Sequence, residues 1–272
     1  MTMFSLSLLS LALIPFVSAQ SGNVALEIEA IKAHFTQSQI VPELLASFDP
    51  AAYMTLNYEG VGNLTPGQAI SQAQSGPTPS ITVQPANSSV ALNGTYTLVC
   101  ADADVAGRKE TEVNRHWLVN GVTIEDNKVD NKSATAITAY AGPGPAEGSG
   151  PHRYVFLLYS QPADFTAPEG FTEPIGVTPF DLNKYAQDGR LGPIVAGNYI
   201  QVEVGTSTVS VAPTSAVETS TLPVPSSGSG SPTGSGSGAN PSQTGAGNGA
   251  ASVTIGAGSV ALAFLSTFLM LL

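Results

Sequence analysis

The stretch GPHRYVFLLYS, residues 150–160, decides the fold. It opens on Gly-Pro, which stops whatever precedes it, and then runs through aromatic and branched apolar residues typical of a strand. The spacing predicts a β-strand over Arg153–Ser160. Side chains alternate across a strand, so His152, Tyr154, Phe156 and Leu158 share one face. His152 and Tyr154 can then line a concavity, while Phe156 and Leu158 continue into a core. A second stretch, TYTLVCAD at 95–102, predicts a strand over Thr95–Ala101. Tyr96, Leu98, Cys100 and Asp102 share a face, so Asp102 emerges at the strand end as Cys100 is buried.

Working outward, Tyr53–Tyr58, Ser80–Gln84, His116–Val122 and Asn198–Val204 are further short β-like runs, punctuated by Gly, Pro and Asn. Val24, Ile28, Ile31 and Phe35 recur at helical spacing and predict an amphipathic helix over Asn23–Thr36. Pro42–Phe48 predicts one short turn of helix, and Phe180–Gln187 a short late helix. No internal repeat is present. The order is one helix, many separated strands and a closing helix. It predicts a mostly β domain, a β-sandwich with a large antiparallel sheet packed face to face on another. Long loops join the strands, notably Asn127–Gly150. Within that loop Gly142-Pro143-Gly144-Pro145 can continue neither a helix nor a central strand.

The two ends frame this domain. Residues 1–19 read as a secretory signal peptide, with an apolar Phe4–Val17 and the small residues Val17-Ser18-Ala19 before a mature start near Gln20. No Lys or Arg precedes the apolar stretch. Residues 20–212 are the expected globular domain. Residues 213–250 are a Ser/Gly/Pro-rich stalk with little to bury. Residues 251–272 form an apolar tail with no basic flank, the pattern of a glycosylphosphatidylinositol (GPI) anchor signal, with Asn248 as the expected attachment residue. The expected address is secreted, then held at the plasma membrane or cell wall. Asn63, Asn87, Asn93 and Asn131 open N-glycosylation sequons. The net charge is −11, from 9 basic and 20 acidic residues, which disfavours a nucleic-acid partner. The single Cys100 can form no internal disulfide, so a core must hold the fold.

Three histidines are available for chemistry: His34 in the first helix, and His116 and His152 at strand edges. Asp102, His116, His152 and Tyr154 could meet in one pocket. Two His and one Asp suit a metal with open positions. They suit a small anion equally well, with the carboxylate orienting an imidazole that donates, beside the phenol, to phosphate oxygens. Each could also be a satisfied polar residue at a strand end. No Gly-x-Ser-x-Gly elbow is present. Mid-strand Cys100 reads as an inert buried thiol, and Trp117, alternating away from His116, as core.

The order YTLVCADAD (96–104), RHWLVN (115–120), YAGPGP (140–145) and GPHRYVFLLY (150–159) resembles the phosphatidylethanolamine-binding protein family, in a secreted fungal-type form. Phe180-Asp181-Leu182, Gly197-Asn198-Tyr199 and Val41-Pro42-Glu43-Leu44-Leu45 extend the resemblance over about Gln39–Val204. The resemblance implies a β-sandwich-like fold with a small anion pocket. Asp102 and His116 match the pocket carboxylate and imidazole; His152, Pro151 and Tyr154 match the rest of its wall. It implies a non-catalytic, lipid head-group binding protein without metal or cofactor. Inhibition of a serine carboxypeptidase or other protease is an alternative, and a metal-dependent hydrolase a further one. One departure stands out. Asp102-Ala103-Asp104-Val105-Ala106 keeps both carboxylates of the family's Asp-Pro-Asp-Ala-Pro and loses both prolines, which predicts a softer loop. The segment Val105–Asn114 also looks short, which predicts a more open rim.

Overall fold

The computed structural model describes residues 24–209, together with 211, 217 and 222. The expected signal peptide, the tail and Asn248 lie outside the described residues, as does the 213–250 stalk except for Val217 and Leu222. In chain order the elements are α1 (Val24–Gln37), α2 (Ile40–Glu43), β1 (Ala52–Tyr58), β2 (Gly62–Asn63), β3 (Gln68–Ala69), α3 (Gln72–Ser75) and β4 (Ser80–Pro85). Then follow β5 (Thr95–Asp102), β6 (Val113–Glu125), β7 (Lys128–Asp130), β8 (Thr135–Thr138), β9 (His152–Gln161), β10 (Pro179–Phe180), α4 (Leu182–Asp188) and β11 (Ile194–Val202).

The two stretches that decide the fold are its central pair. β5 and β9 run antiparallel, in register from Thr95 opposite Gln161 to Asp102 opposite Tyr154. Outward from them the sheet order is β2-β1-β4-β7-β6-β5-β9-β11-β3, with β8 and β10 also on β6. All pairings are antiparallel except β3 with β11. The layers expected as two separate sheets are one curled sheet, because β6 is long enough to serve both. Its first part pairs with β5, and Thr123–Glu125 pair with β7. Gly121, at φ 87, lies between these two parts of the strand. The curl brings β1 over β11, where the buried Asn198 side chain donates to the Met54 carbonyl at 2.8 Å.

Alternation then fills two cores. Tyr96, Leu98, Cys100, Tyr154, Phe156 and Leu158 face inward against Met54, Leu56 and Val83. Val99, Ala101, Val155, Leu157 and Tyr159 face the other way, against Ile31, Phe35, Leu182 and Tyr185 of the helices. Central strands covered on both faces explain why β5 and β9 read as nearly continuous apolar runs. Phe35 stacks on Phe48 at 3.9 Å between ring centroids and sits edge-on to Tyr199. Full burial of such a ring is worth about 1.5–3 kcal/mol.

Several local expectations shift. The helical turn expected at 42–48 is replaced by the short kinked α2 at Ile40–Glu43, in which Val41 and Pro42 leave helical angles. Leu45–Phe48 lies outside it, with Phe48 against Phe35. The late helix begins after Phe180, because the Asp181 carboxylate accepts from the Lys184 amide at 2.9 Å and caps it there. Phe180 instead pairs with Val113 in β10. The 127–150 loop contains two strands, β7 and β8. Asp126 and Asn127, at φ 48 and 64, make the two-residue turn of a β6–β7 hairpin. The Gly-Pro-Gly-Pro stretch does lack regular structure, as expected.

Candidate binding site

At one end of the central pair, strand register builds a polar cluster. Asp102 is the last residue of β5 and lies directly opposite Tyr154. His152 opens β9 two residues before Tyr154, on the same face. Its Nδ1 stands 3.1 and 3.0 Å from the two Asp102 carboxylate oxygens. Asp102 Oδ1 also accepts from the Asp104 amide at 2.8 Å. The other imidazole nitrogen, Nε2, lies 2.9 Å from Ser149 Oγ and 3.6 Å from Asp104 Oδ1. Asp102 is 8% exposed and His116 7%, so the cluster is nearly closed to solvent.

His116 arrives by a route that simple alternation does not give. The β5–β6 register slips between Cys100–Trp117 and Ala101–Arg115, which leaves His116 as the extra residue of a bulge. Its ring meets Tyr154 edge-on at 5.1 Å, while Trp117 packs in the same inner core as Tyr154. Trp117 is core as expected, but it does not alternate away from His116. His116 Nδ1 donates to the Ala141 carbonyl at 2.9 Å, which leaves Nε2 for another partner. That contact needs the 140–145 loop pressed close. A Cβ on Gly142 would stand 2.8 Å from the Gly76 Cα and 3.1 Å from the Ser75 carbonyl, which leaves no space for a side chain.

Thus Asp102, His116, His152 and Tyr154 come together. Pro151 stands half-buried just before them. His34 is half-buried on α1, and its imidazole is pulled down by burial. The set does not converge as metal ligands. Among the described residues no group of three His, Cys, Asp or Glu is placed to hold a metal ion. Burial alone would lower the His152 imidazole. The Asp102 hydrogen bond and the charges of Asp102 and Asp104 outweigh burial and the opposing Arg108, and leave it raised. Burial, then the Asp102 charge, pushes the Tyr154 phenol far up, so it stays a neutral hydroxyl. No partner meets that buried hydroxyl in good hydrogen-bond geometry, although the Asp102 carboxylate and the Gly144 backbone amide stand close enough to act on it. Burial followed by Asp102 also raises the Cys100 thiol, which keeps it inert.

Sequence reasoning gave no role to Ser149, Arg153 or Glu43. Arg153 is 2% exposed and points away from the pocket. Its guanidinium takes the carbonyls of Ser38, Ala103, Asp104 and Val105 and pairs with Glu43 Oε2 at 2.8 Å. Glu43 Oε1 accepts from the Gly107 amide at 2.9 Å. The loop that lacks both prolines is therefore tied down from outside by side chains. The sequon residues Asn63, Asn87, Asn93 and Asn131 are all exposed.

The sequence model of the phosphatidylethanolamine-binding protein family matches residues 47–205, and the chain belongs to this family. Members, the carboxypeptidase Y inhibitor among them, are non-catalytic. A 26 kDa secreted antigen of Toxocara canis is 29% identical over 172 residues, 61% of this chain and 61% of that protein. The chain thus matches about three fifths of the antigen's length. The carboxypeptidase Y inhibitor of Saccharomyces cerevisiae is 25% identical over 210 residues, 65% of this chain and 94% of the inhibitor. The crystal structure of a carboxypeptidase Y inhibitor complexed with its cognate proteinase superimposes with a TM-score of 0.55 at 21% identity, covering 65% of this chain and 96% of that one. It supports the curled-sheet fold.

Proposed function

We propose that this protein is a binding module whose pocket, built from Asp102, His116, Pro151, His152 and Tyr154, takes a phosphate-bearing head group. The observation that carries the reading is the buried Tyr154 hydroxyl, which no partner meets in good hydrogen-bond geometry, close to the Asp102 carboxylate of a His152–Asp102 ion pair. A buried hydroxyl without a partner carries a desolvation cost that an acceptor oxygen would relieve. With Nδ1–H spent on the Ala141 carbonyl, His116 Nε2 of the neutral ring is an acceptor, suited to the ammonium of a head group and not to its phosphate oxygens. The carboxylates of Asp102 and Asp104 nearby suit the ammonium of a zwitterionic head group such as phosphoethanolamine better than a bare anion. Calorimetry with phosphate, acetate and phosphoethanolamine tests this. Phosphoethanolamine should bind more tightly than acetate, and Tyr154→Phe should weaken it roughly tenfold, the worth of a hydrogen bond to a charged group. Affinity should fall as pH rises through the raised value of His152, because the charged imidazolium is lost. No measurable heat with any of the three, at millimolar concentration, would refute the reading.

A second reading, inhibition of a serine carboxypeptidase, is supported by the relation to the yeast inhibitor over 94% of that protein's length. Full carboxypeptidase Y activity in the presence of a large molar excess of the mature domain would end it.

The proposed setting is extracellular: signal peptide 1–19, domain 20–212, stalk 213–250, tail 251–272 and a lipid on Asn248, with glycans on Asn63, Asn87, Asn93 and Asn131. The relation to a secreted antigen supports export. Phospholipase C should release the protein from cells, and a mature form retaining Leu272 would exclude the anchor.

A further inference from the structure

The hydroxyl of Ser149 sits at a junction whose protons can be counted. Its Oγ lies 2.6 Å from the Ala146 carbonyl and 2.9 Å from His152 Nε2. A carbonyl can only accept, so the single Ser149 proton is committed to Ala146. Oγ then offers His152 nothing but a lone pair, and Nε2 must carry a hydrogen to bond it. On the other side of the ring, Nδ1 faces both oxygens of the Asp102 carboxylate, which also only accept. Asp104 Oδ1, 3.6 Å from Nε2, adds a second negative atom on the Ser149 side. Every neighbour of both ring nitrogens is an acceptor.

We propose that Ser149 is a positioning residue of the pocket, closing a chain from Asp102 through His152 and Ser149 to the Ala146 carbonyl that holds His152 as the imidazolium. Both ring N–H groups are spent within the protein. His152 therefore acts on a bound phosphate through its charge, while the direct hydrogen bond to a phosphate oxygen falls to the Tyr154 hydroxyl. This sharpens the sequence expectation, in which the imidazole oriented by the carboxylate donates to the ligand beside the phenol. The segment 146–150 that carries Ser149 is set by the fold: the Gly148 amide donates to the Val204 carbonyl at 2.8 Å, and Gly150 takes φ 98 just before the strand. The charged groups facing His152 are Asp102 on β5 and Asp104 and Arg108 on the following loop, with the neutral Tyr154 on its own strand. The inference deepens the pocket reading, and its first test does not need a ligand.

The test follows the His152 ring by NMR across a pH titration of the ligand-free domain, in wild type, Ser149→Ala and Ser149→Thr. Ser149→Ala should move the His152 titration to lower pH, because an acceptor of the charged form is gone, and Ser149→Thr should restore it. With phosphoethanolamine as the probe, Ser149→Ala should weaken binding roughly fivefold at a pH between the two His152 titration midpoints and little at a pH below both, where the ring is charged in either protein. A His152 titration that does not move in Ser149→Ala overturns the proposal. Equal weakening at both pH values also overturns it, since that marks a general loss of packing. Absence of phosphoethanolamine binding in wild type would refute the pocket reading, while the ligand-free titration would still decide the role of Ser149.

Discussion

Arg153→Ala is expected to destabilise the folded domain by about 3–5 kcal/mol, the cost of breaking a buried ion pair on one side. Measured by urea unfolding near neutral pH, it should produce the largest loss of any single substitution around the site. The guanidinium is 2% exposed, and its donors are spent on the carbonyls of Ser38, Ala103, Asp104 and Val105 and on Glu43. Truncation leaves the Glu43 carboxylate, only 12% exposed, without its counter-ion, and takes a donor from four carbonyls, of which Asp104 and Val105 keep the Arg153 and Arg108 amides. Lysine cannot replace it, because three donors on a point charge do not reproduce a five-donor planar fork. Glu43→Gln should cost less, since its amide oxygen can still accept from Gly107. A loss under about 1 kcal/mol for Arg153→Ala would mean that water or a rearranged loop satisfies those carbonyls. The same substitution should disturb the pocket. Three of the carbonyls belong to residues 103–105, which follow Asp102 directly and present Asp104 to His152.

How much of this was legible depended on which force fixed each residue. The faces of β5 and β9 follow from strict alternation, so spacing puts His152 and Tyr154 on one face and Asp102 at its strand's end. Their meeting depends on β5 lying beside β9, which the family resemblance implied and spacing did not. The His116–Trp117 pair could not, because the bulge arises from register with β5, a property of two strands at once. β7 escaped notice because its hairpin turn is Asp126-Asn127. Both residues tolerate positive φ, but neither is the glycine that usually marks such a turn. Arg153 alternates with Tyr154 and reads as an outward, solvated charge. Only α1 and the Ser38–Glu43 segment, folded over that face, turn it into a buried hub. Ser149 sits in a Gly-Ser-Gly triplet that reads as loop, and its role depends on where the 146–150 backbone runs. Charge and hydroxyl roles set by long-range covering leave no periodic trace in the chain.

Asp102→Asn tests the electrostatic core of the site, and the sign of its pH dependence is the informative part. In the wild type the folded His152 is raised above its ordinary value of 6.5. A raised histidine contributes stability that is fully present below the unfolded value and is lost as pH rises through the folded one. Asp102→Asn keeps an acceptor for the Asp104 amide but removes the carboxylate whose hydrogen bond and charge, together with Asp104, outweigh burial, so the imidazole should fall. The destabilisation should then be larger below the ordinary histidine value of 6.5, at about 1.5–3 kcal/mol for a charged hydrogen bond, than above the raised folded value, where the imidazole is neutral in both proteins. Comparing the two proteins at each pH cancels the titration of the many surface carboxylates. Phosphoethanolamine binding near neutral pH should weaken by more than roughly tenfold, because the variant no longer keeps a positive charge beside Tyr154. A destabilisation that is equal at the two pH values, or grows with pH, would show that His152 is neutral in the folded protein. The anion would then be left to the Tyr154 hydroxyl, with no positive charge from His152 beside it.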